Sequence, residues 1–299
     1  MPDTTLTNDQ IENVMRGMSI PAQPQIMVDL QMEQAMPDPD INEIARLISR
    51  DVAISGRVLK AVNSPFFGLR NKITSIQKAV VLLGTNSVVN IVNAVAIHNE
   101  ISTNKNLSEE EINDMNHFWD TAQDVALTAA TIAKQIGFIS PDEAYTLGLF
   151  HNAGIPLLIS KFCDYRSTMH ESYMGSSKRL IDIENKAINT NHAVVGFYIA
   201  KSWKLSPSIC EAIQQHHNII EIFSQTGSQG SDVMNLLAVL KMAEHIVGLY
   251  KIIGDQDNDV EWNESRDIIF HYLGISEDDF DEIIIICHEL GMGLKNKVS

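Results

Sequence analysis

The sequence has few cysteines, no N-terminal signal of the secretory type and no long apolar segment. Its three cysteines are far apart in the 299 residues and form no metal-binding or redox motif. They predict reduced thiols in a cytoplasmic protein. The longest aliphatic run, Ile283 to Ile286, is far too short to span a bilayer. It favours a buried helix, although consecutive isoleucines also suit a strand.

Positive charge is also scarce. The chain has 38 acidic and 22 basic side chains, a formal net charge of -16, and no run of Lys or Arg. Such a surface repels phosphate backbones and anionic membranes, so we expect neither a nucleic acid nor a membrane as a partner. The hydrophobic fraction of 44% and the charged fraction of 20% are typical of a soluble globular protein.

Strand signals are nearly absent, whereas helix signals recur. Ser140-Pro141 and Ser206-Pro207 each place a capping residue before a first-turn proline. Gly84 and Gly137 follow apolar-periodic stretches, as glycines at helix C-termini do. No Asn-Gly or Asp-Gly turn joins two alternating apolar runs. The sequence therefore predicts an all-α, multi-helix bundle.

A polar segment at residues 102–108 separates two helical blocks and is the predicted domain boundary. We expect an N-terminal helical subdomain at residues 1–107, packed on a second helical subdomain at residues 108–299. The length is compatible with one large domain or two small ones.

Several histidines and one glutamate lie on apolar helix faces in the second block. His192 heads an apolar stripe, His151 shares a face with leucines and isoleucine, and His216 with His217 continues another such face. Glu244 lies among leucines and valine at helical spacing. Each of these residues alone is explained by an ordinary buried hydrogen bond or ion pair. Together they form the ligand types that transition metals prefer, because imidazole and carboxylate groups bind such ions.

Several motifs, in a shared order, resemble the HDOD (HD-related output domain) family, a degenerate branch of the HD phosphohydrolase superfamily. They cover roughly residues 20 to 250. The motifs are Ile48-Ser49-Arg50-Asp51, Asn63-Ser64-Pro65-Phe66-Phe67-Gly68, Ala79-Val80-Val81-Leu82-Leu83-Gly84, Gly148-Leu149-Phe150-His151, Trp203 with Pro207, and His216-His217. Val52 stands where the family usually has proline. The resemblance implies an HD-like second subdomain and a bacterial signalling role.

The HD metal pattern is incomplete in this chain. Two positions are degenerate: Thr121 stands where the superfamily has its first histidine, and Asn152 replaces the aspartate of the His-Asp pair. An amide oxygen is neutral, so a cation held beside Asn152 loses one compensating charge. A two-metal hydrolytic site is therefore not expected, and neither residue is expected to be catalytic.

Other positions match the HD pattern. The resemblance implies His151, His192, His216 and His217 as ligands, and Glu244 in place of the final aspartate. These residues form a candidate, partial site for one divalent transition metal, which is Fe, Mn, Ni or Zn.

The leading functional hypothesis is a non-catalytic signalling module that binds protein partners. Signalling proteins would be recruited in trans, with the motif residues Asn63, Ser64, Phe66 and Phe67 as the predicted partner surface. The alternative for these residues is a structural role, in which Asn63 and Ser64 end a helix and form a turn and Phe66 and Phe67 pack between helices of the first block. The alternative is a metal-dependent phosphohydrolase that acts on a nucleotide or cyclic dinucleotide. A third possibility is a sensor that binds a nucleotide or phosphate without cleaving it.

Overall fold

A computed structural model describes residues 18, 20–63, 67–102, 109–173, 179–225 and 231–293. Helices account for all the regular secondary structure within these ranges, which confirms the all-α prediction. Ile283 to Ile286 lie within a helix rather than a strand. No helix in the described ranges is long and apolar enough to cross a membrane.

The chain divides into two compact units, Pro21–Asn106 and a second unit that contains the chain from Leu107 onward. Most of the predicted boundary segment, residues 103–108, lies outside the described residues.

The described helices of the N-terminal unit are short and enclose an apolar core. Their bounds are α1 (Gln25–Gln34), α2 (Ile41–Ser49), α3 (Val52–Val62), α4 (Ile76–Leu83) and α5 (Thr85–Ser102). Asp40 and Asp51 cap α2 and α3, since each carboxylate accepts a hydrogen bond from a first-turn backbone N–H. Leu30, Ile48 and Val58 are fully buried in the core of this unit.

The second unit is built around a central buried helix. Its described helices are α6 (Glu109–Ile136), α7 (Pro141–Phe150), α8 (Gly154–Lys161), α9 (Tyr165–Tyr173), α10 (Leu180–Ile188), α11 (His192–Ser202), α12 (Pro207–Gln215), α13 (Ile219–Gln225), α14 (Asp232–Val247), α15 (Leu249–Ile252), α16 (Val260–Leu273) and α17 (Glu277–Glu289). Helix α14 is central, because it contacts α6, α7, α12 and α16. The predicted caps Ser140 and Ser206 are present, and each hydroxyl accepts a backbone hydrogen bond.

Two glycines allow helices of this unit to approach closely. A Cβ on Gly148 of α7 would lie 2.7 Å from the Cα of Ala126 on α6. A Cβ on Gly154, at the start of α8, would lie 2.2 Å from the carbonyl oxygen of His192 on α11. The close packing at Gly154 brings the turn that carries His151 against the start of α11, where His192 lies.

Candidate metal centre

Three histidines of the second unit meet at their Nε2 atoms. His192 begins α11, whereas His216 and His217 follow the last turn of α12. His192 Nε2 lies 2.9 Å from His217 Nε2 and 3.3 Å from His216 Nε2. All three side chains are buried. One candidate ligand atom from each lies within 4.8 Å of the other two, so the group can hold a metal ion.

The Nδ1 atoms of these histidines are engaged by hydrogen-bond acceptors. His192 Nδ1 lies 2.8 Å from Glu184 Oε2, and His217 Nδ1 lies 2.7 Å from Glu261 Oε1. His216 Nδ1 lies 2.7 Å from the carbonyl oxygen of Ile213. An acceptor at Nδ1 places the proton of a neutral imidazole there and leaves a lone pair on Nε2. Acceptors of this kind also orient histidines that bind metals.

The tautomers make the contacts within this histidine cluster unfavourable without a cation. With protons on Nδ1, the Nε2 lone pair of His192 faces those of His216 and His217 at hydrogen-bond distance, with no hydrogen between them. Two imidazole nitrogens on one tetrahedral Zn²⁺ lie about 3.3 Å apart, because each Zn–N bond is about 2.0–2.1 Å long. The spacing of the cluster therefore fits a shared transition metal ion.

Burial keeps His216 and His217 neutral, as metal ligation requires. Burial lowers the pKa of His217 to about 4, although Glu261 opposes this shift. Burial also lowers the pKa of His216 well below its ordinary value, and the neighbouring histidines add to the effect. A neutral imidazole at physiological pH does not have to lose a proton before it binds an ion.

Glu184 is the buried anchor of the cluster. Its side chain is fully buried, and its carboxylate accepts hydrogen bonds from the Tyr165 hydroxyl at 2.5 Å and from the backbone N–H of His192 at 3.0 Å. Burial by itself raises the pKa of Glu184, but the contacts with His192 and Tyr165 outweigh it and hold the pKa below its usual value. The carboxylate therefore stays ionised and fixes the His192 ring.

His151 lies beside the cluster and faces a different carboxylate. Its ring centroid is 5.5 Å from that of His216, and its Nδ1 lies 2.7 Å from the Gly148 carbonyl oxygen. Its Nε2 is 3.3 Å from Glu244 Oε1, but the two atoms do not have hydrogen-bond geometry.

Neither His151 Nε2 nor Glu244 Oε1 has a hydrogen-bond partner among the described residues, and the same holds for the buried Asn152 Oδ1. Burial lowers the pKa of His151 to about 3. These orphaned polar atoms mark a second place where a polar ligand or ion would be stabilised.

A buried lysine joins two carboxylates next to His151. Lys241 Nζ lies 2.7 Å from both Glu244 Oε2 and Glu261 Oε2. Burial disfavours the ammonium, but the two carboxylates outweigh it and raise the pKa of Lys241. Burial raises the pKa of Glu244 to about 7 despite Lys241, whereas His217 and Lys241 overcome burial and lower that of Glu261. The two shifts differ because one ammonium fully compensates only one of the two carboxylates.

A cavity of about 490 Å³ adjoins this group. The residues of the centre that line it are His217, Lys241, Glu244 and Glu261. The remainder of its lining includes aromatic residues, such as Tyr173, Tyr250 and Trp262, and charged residues, such as Arg179, Glu221, Asp259 and Glu264. Carboxylates outnumber basic side chains in this lining, so a phosphate group would meet like charge unless a cation accompanied it.

The sequence comparison that decides the family is a match to the model of the HDOD domain over residues 20–219. The chain belongs to the HDOD family. An HDOD domain protein of unknown function from Geobacter sulfurreducens has a similar solved structure, with a TM-score of 0.71, 25% identity and coverage of 95% of each chain. A Shewanella amazonensis SB2B protein, provisionally called a metal-dependent phosphohydrolase, shares the fold with a TM-score of 0.67, 18% identity and coverage of 94% of each chain.

Curated relatives of this HDOD chain are longer proteins. An uncharacterized protein of Treponema pallidum (strain Nichols) is 25% identical over 205 residues, which cover 67% of this chain and 38% of that protein. Bacillus subtilis (strain 168) YuxH, also uncharacterized, is 38% identical over 60 residues, or 20% of this chain and 15% of YuxH. The chain therefore matches well under half the length of either relative.

The structure divides the predicted ligands of the HDOD chain into two groups. His192, His216 and His217 form the cluster, whereas His151 and Glu244 face each other beside it. Their role as metal ligands stays a prediction.

The two degenerate positions are both buried, but they differ in their bonding. The Thr121 hydroxyl donates a hydrogen bond to the His117 carbonyl oxygen of its own helix, at 2.8 Å. The side-chain oxygen Oδ1 of Asn152 has no partner in the part of the chain that the structure describes. Asn152 is therefore the one of the two whose side-chain oxygen is available to a ligand.

The predicted partner surface is described only in part. The Asn63 side chain joins the end of α3 to the segment at Ile73. Its amide nitrogen donates hydrogen bonds to the Leu59 and Ile73 carbonyl oxygens, and its amide oxygen accepts one from the Ile73 backbone N–H. This bonding gives Asn63 a structural role. Phe67 is half-buried, and Ser64 and Phe66 lie outside the described residues.

Sequence reasoning missed Glu184, Tyr165, Lys241 and Glu261. Lys241 carried a usable signal, because it lies three residues before Glu244 on the same apolar stripe. Glu261 and Tyr165 had no local signal, since their partners are 44 and 19 residues away in the chain.

Proposed function

We propose that this chain is a regulatory HDOD module that holds one transition metal ion at His192, His216 and His217 and acts by binding a signalling protein. The observation that carries the metal site is the convergence of three Nε2 atoms whose Nδ1 atoms are all engaged by acceptors. Such an arrangement supplies three neutral ligands with lone pairs directed at one point. Zn, Fe, Mn and Ni are the candidate ions.

The two carboxylates that contact the cluster, Glu184 and Glu261, favour regulation over hydrolysis. Metal-assisted hydrolysis needs an activated water and a group that accepts its proton. The Glu184 carboxylate already bonds with His192 and Tyr165, and the Glu261 carboxylate with His217 and Lys241, so neither is available to accept a proton from water. Asn152 cannot act as a base. An ion at the cluster would chiefly join α11 to the end of α12, which makes the position of these helices depend on metal.

The signalling role requires a partner in trans. The net charge of -16 favours a partner with a basic face, through electrostatic steering. We expect the metal-loaded and metal-free forms to differ in affinity for that partner, because an ion shifts an equilibrium only when it binds one conformation better than another.

A metal-dependent phosphohydrolase is the second candidate, and one observation favours it. Glu244 lines the cavity beside the cluster, and its pKa is raised to about 7, which suits a general base near neutral pH. The net acidic lining of the cavity disfavours a phosphoester substrate unless bound metal compensates the charge.

The deciding experiment combines metal content with turnover. Purified protein is loaded with Zn, Fe, Mn or Ni, and bound metal is measured by elemental analysis for the wild type, His192→Ala and the exposed-site control His271→Ala. We expect one ion per chain in the wild type and the control, and its loss in His192→Ala. The loaded proteins are then incubated with nucleotides, cyclic dinucleotides and phosphomonoesters.

The outcomes separate the two functions. Bound metal without phosphate release supports the regulatory module. Turnover that disappears in His192→Ala but persists in His271→Ala selects the phosphohydrolase. A wild type that retains no metal would contradict the metal site on which both proposed functions depend. Capture of signalling proteins from the source cell, compared between the wild type and His192→Ala, tests whether partner binding depends on the cluster.

A further inference from the structure

The cavity beside the cluster is formed mainly by the part of the chain that follows residue 219, where the match to the family model ends. Most of its lining residues lie on α13 to α16 or in the segments that join these helices. Its volume of about 490 Å³ is within the range of small-molecule sites, roughly 300–1,000 Å³. The cavity is therefore large enough for a small organic ligand, and the sequence matched by the family model supplies only a minority of its lining.

Negative charge dominates this lining, and its basic side chains are already paired. The lining has five carboxylates and two basic side chains, which carry a net charge of -3 when all are ionised. Lys241 Nζ lies 2.7 Å from both Glu244 Oε2 and Glu261 Oε2. Arg179 Nη2 lies 2.9 Å from Asp182 Oδ1, which is outside the lining. Neither basic group is therefore available to an anionic ligand, whereas a cationic ligand would compensate the excess of carboxylates.

The negative potential of the carboxylates reaches Tyr173, an aromatic residue of the lining. Burial and the negative charges of nearby carboxylates raise the pKa of Tyr173 well above its ordinary value. Three of these carboxylates, Glu244, Glu261 and Asp259, line the cavity together with Tyr173. The field that opposes a negative charge on this phenol stabilises a positive charge placed beside it.

One buried carboxylate oxygen of the lining residues lacks a hydrogen-bond donor. Glu244 is 7% exposed, and its Oε1 has no hydrogen-bond partner among the described residues. An unsatisfied buried acceptor is costly, so an N–H group of a bound cation would be stabilised at this oxygen.

The apolar part of the lining suits the hydrocarbon stem of an organic cation. Leu249, Tyr250 and Trp262 contribute side chains to it. The Trp262 ring is held by stacking on His245, with 4.7 Å between the ring centroids. Aromatic faces attract cations, and apolar side chains favour the burial of a hydrocarbon stem. A metal ion would use neither property, because it binds to nitrogen, oxygen or sulfur atoms.

We infer that this cavity binds a small organic cation, in which an amine or guanidinium group is carried on an apolar stem. Carboxylates of the lining hold the charged group, and the aromatic and aliphatic side chains hold the stem. A small molecule fits better than a segment of a partner protein, because Glu244 and Trp262 are only 7% and 4% exposed and lie below the surface. The inference goes beyond the proposed function, since it does not depend on an ion at the histidine cluster.

Isothermal titration calorimetry of the purified chain tests the inference, with tyramine and agmatine as the probes. Tyramine is compared with tyrosol and 4-hydroxyphenylacetate, which keep the phenol ring but carry a hydroxyl or a carboxylate in place of the ammonium group. We expect one molecule of each amine to bind per chain. The neutral and anionic analogues of tyramine should bind at least about tenfold more weakly, because they do not compensate the carboxylates.

Matched variants locate the binding in the cavity. Glu264 is exposed and belongs to the lining, whereas Glu282 is exposed on α17 outside it. Glu264→Lys should weaken tyramine binding by about tenfold, because the reversal changes the interaction by two unit charges. Glu282→Lys should leave the binding unchanged. Tyr250→Ala should weaken it by about three- to tenfold through loss of an aromatic contact, and Tyr198→Ala, outside the lining, should not.

The order of the analogues and the two glutamate variants decide the inference. Saturable binding of one amine per chain that weakens in Glu264→Lys but not in Glu282→Lys supports it. Failure of both amines to bind, or equal binding of tyramine and its two analogues, overturns it. Equal weakening by the two glutamate variants also overturns it, because it would indicate attraction to the acidic surface in general. A lysine-rich peptide that binds where both amines fail would likewise overturn it and assign the cavity to a basic segment of a partner protein.

Discussion

The two units use the same secondary structure for different purposes. In the N-terminal unit, Asn93 is the only buried polar side chain among the described residues, and the Glu43–Arg46 ion pair lies on the surface. In the second unit, a buried network joins histidines to Glu184, Lys241 and Glu244. Buried charges and histidines lower stability unless they are fully paired. The contrast shows that the candidate metal ligands and the buried ion pairs of the described residues lie in the second unit.

The largest expected effect comes from removing the buried anchor of the cluster. Glu184→Ala should lower the free energy of unfolding by about 3–5 kcal/mol, because it leaves His192 and Tyr165 without their shared acceptor. Metal affinity should fall about 10- to 100-fold through loss of the group that orients His192. Chemical denaturation and metal titration measure the two effects.

The matched control for Glu184→Ala is Glu43→Ala in the N-terminal unit. Glu43 is paired with Arg46 on the surface, so its removal should leave the unfolding transition and the metal affinity unchanged. Equal effects of the two substitutions would remove the distinction between the units.

A pair of glycine substitutions tests packing in the two units. Gly154→Ala should destabilise the protein by about 2–4 kcal/mol, because the new methyl group meets the His192 carbonyl oxygen, a backbone atom that cannot rotate away. Gly56→Ala, within α3, should stabilise by about 0.5–1 kcal/mol, since its Cβ meets nothing within 4 Å and alanine favours a helix. Thermal unfolding of both variants checks the signs, and destabilisation by Gly56→Ala would contradict the packing described for α3.

The pH dependence of the metal-free protein tests the buried histidines. The pKa values of His151 and His217 are lowered to about 3 and about 4, so the unfolded state takes up protons first as pH falls below about 6.5. Each of these two histidines therefore costs about 1 kcal/mol of stability between pH 6.5 and 5.5. His216 acts in the same direction.

Glu244 opposes this trend, because its pKa is raised to about 7 and the folded state gains protons first. The stability that Glu244 contributes is present at low pH and is lost as pH rises through about 7. Between pH 6.5 and 5.5 this contribution offsets the loss of stability from about one histidine. We expect a net loss of about 1–2 kcal/mol between pH 6.5 and 5.5, measured by denaturation in the presence of a chelator. Stability that rises on acidification would contradict the burial of the cluster. Metal loading should reduce the dependence, because bound imidazoles do not titrate.

The smallest expected change in metal affinity concerns the degenerate position Asn152. Asn152→Asp should strengthen metal retention by about tenfold, or about 1.4 kcal/mol, because it adds a negative charge next to His151, whose ring lies 5.5 Å from that of the cluster member His216. Elemental analysis after dialysis against a chelator measures retention, with Asn93→Asp in the N-terminal unit as the control, which should change no metal content. Unchanged retention in Asn152→Asp would show that Asn152 does not face the ion.

The candidate site was predictable only in part. His192, His216 and His217 were recognisable because they continue apolar helix stripes and match the order of the HD pattern. Lys241 shares its stripe with Glu244, yet the pattern alone does not show that it contacts a second carboxylate 20 residues away. The same limit applies to Glu184, because helical periodicity places its side chain inward but does not identify His192 as its partner.

Local chemistry in the sequence determined the helical fold and the identity of the potential ligands, because capping, apolar periodicity and turn residues act over a few positions. The tertiary structure alone decided how those residues are grouped: three histidines around one point, and Lys241 between Glu244 and Glu261. The physical reason is that charge compensation depends on distance in space. Helix packing sets these distances between residues that lie far apart in the chain.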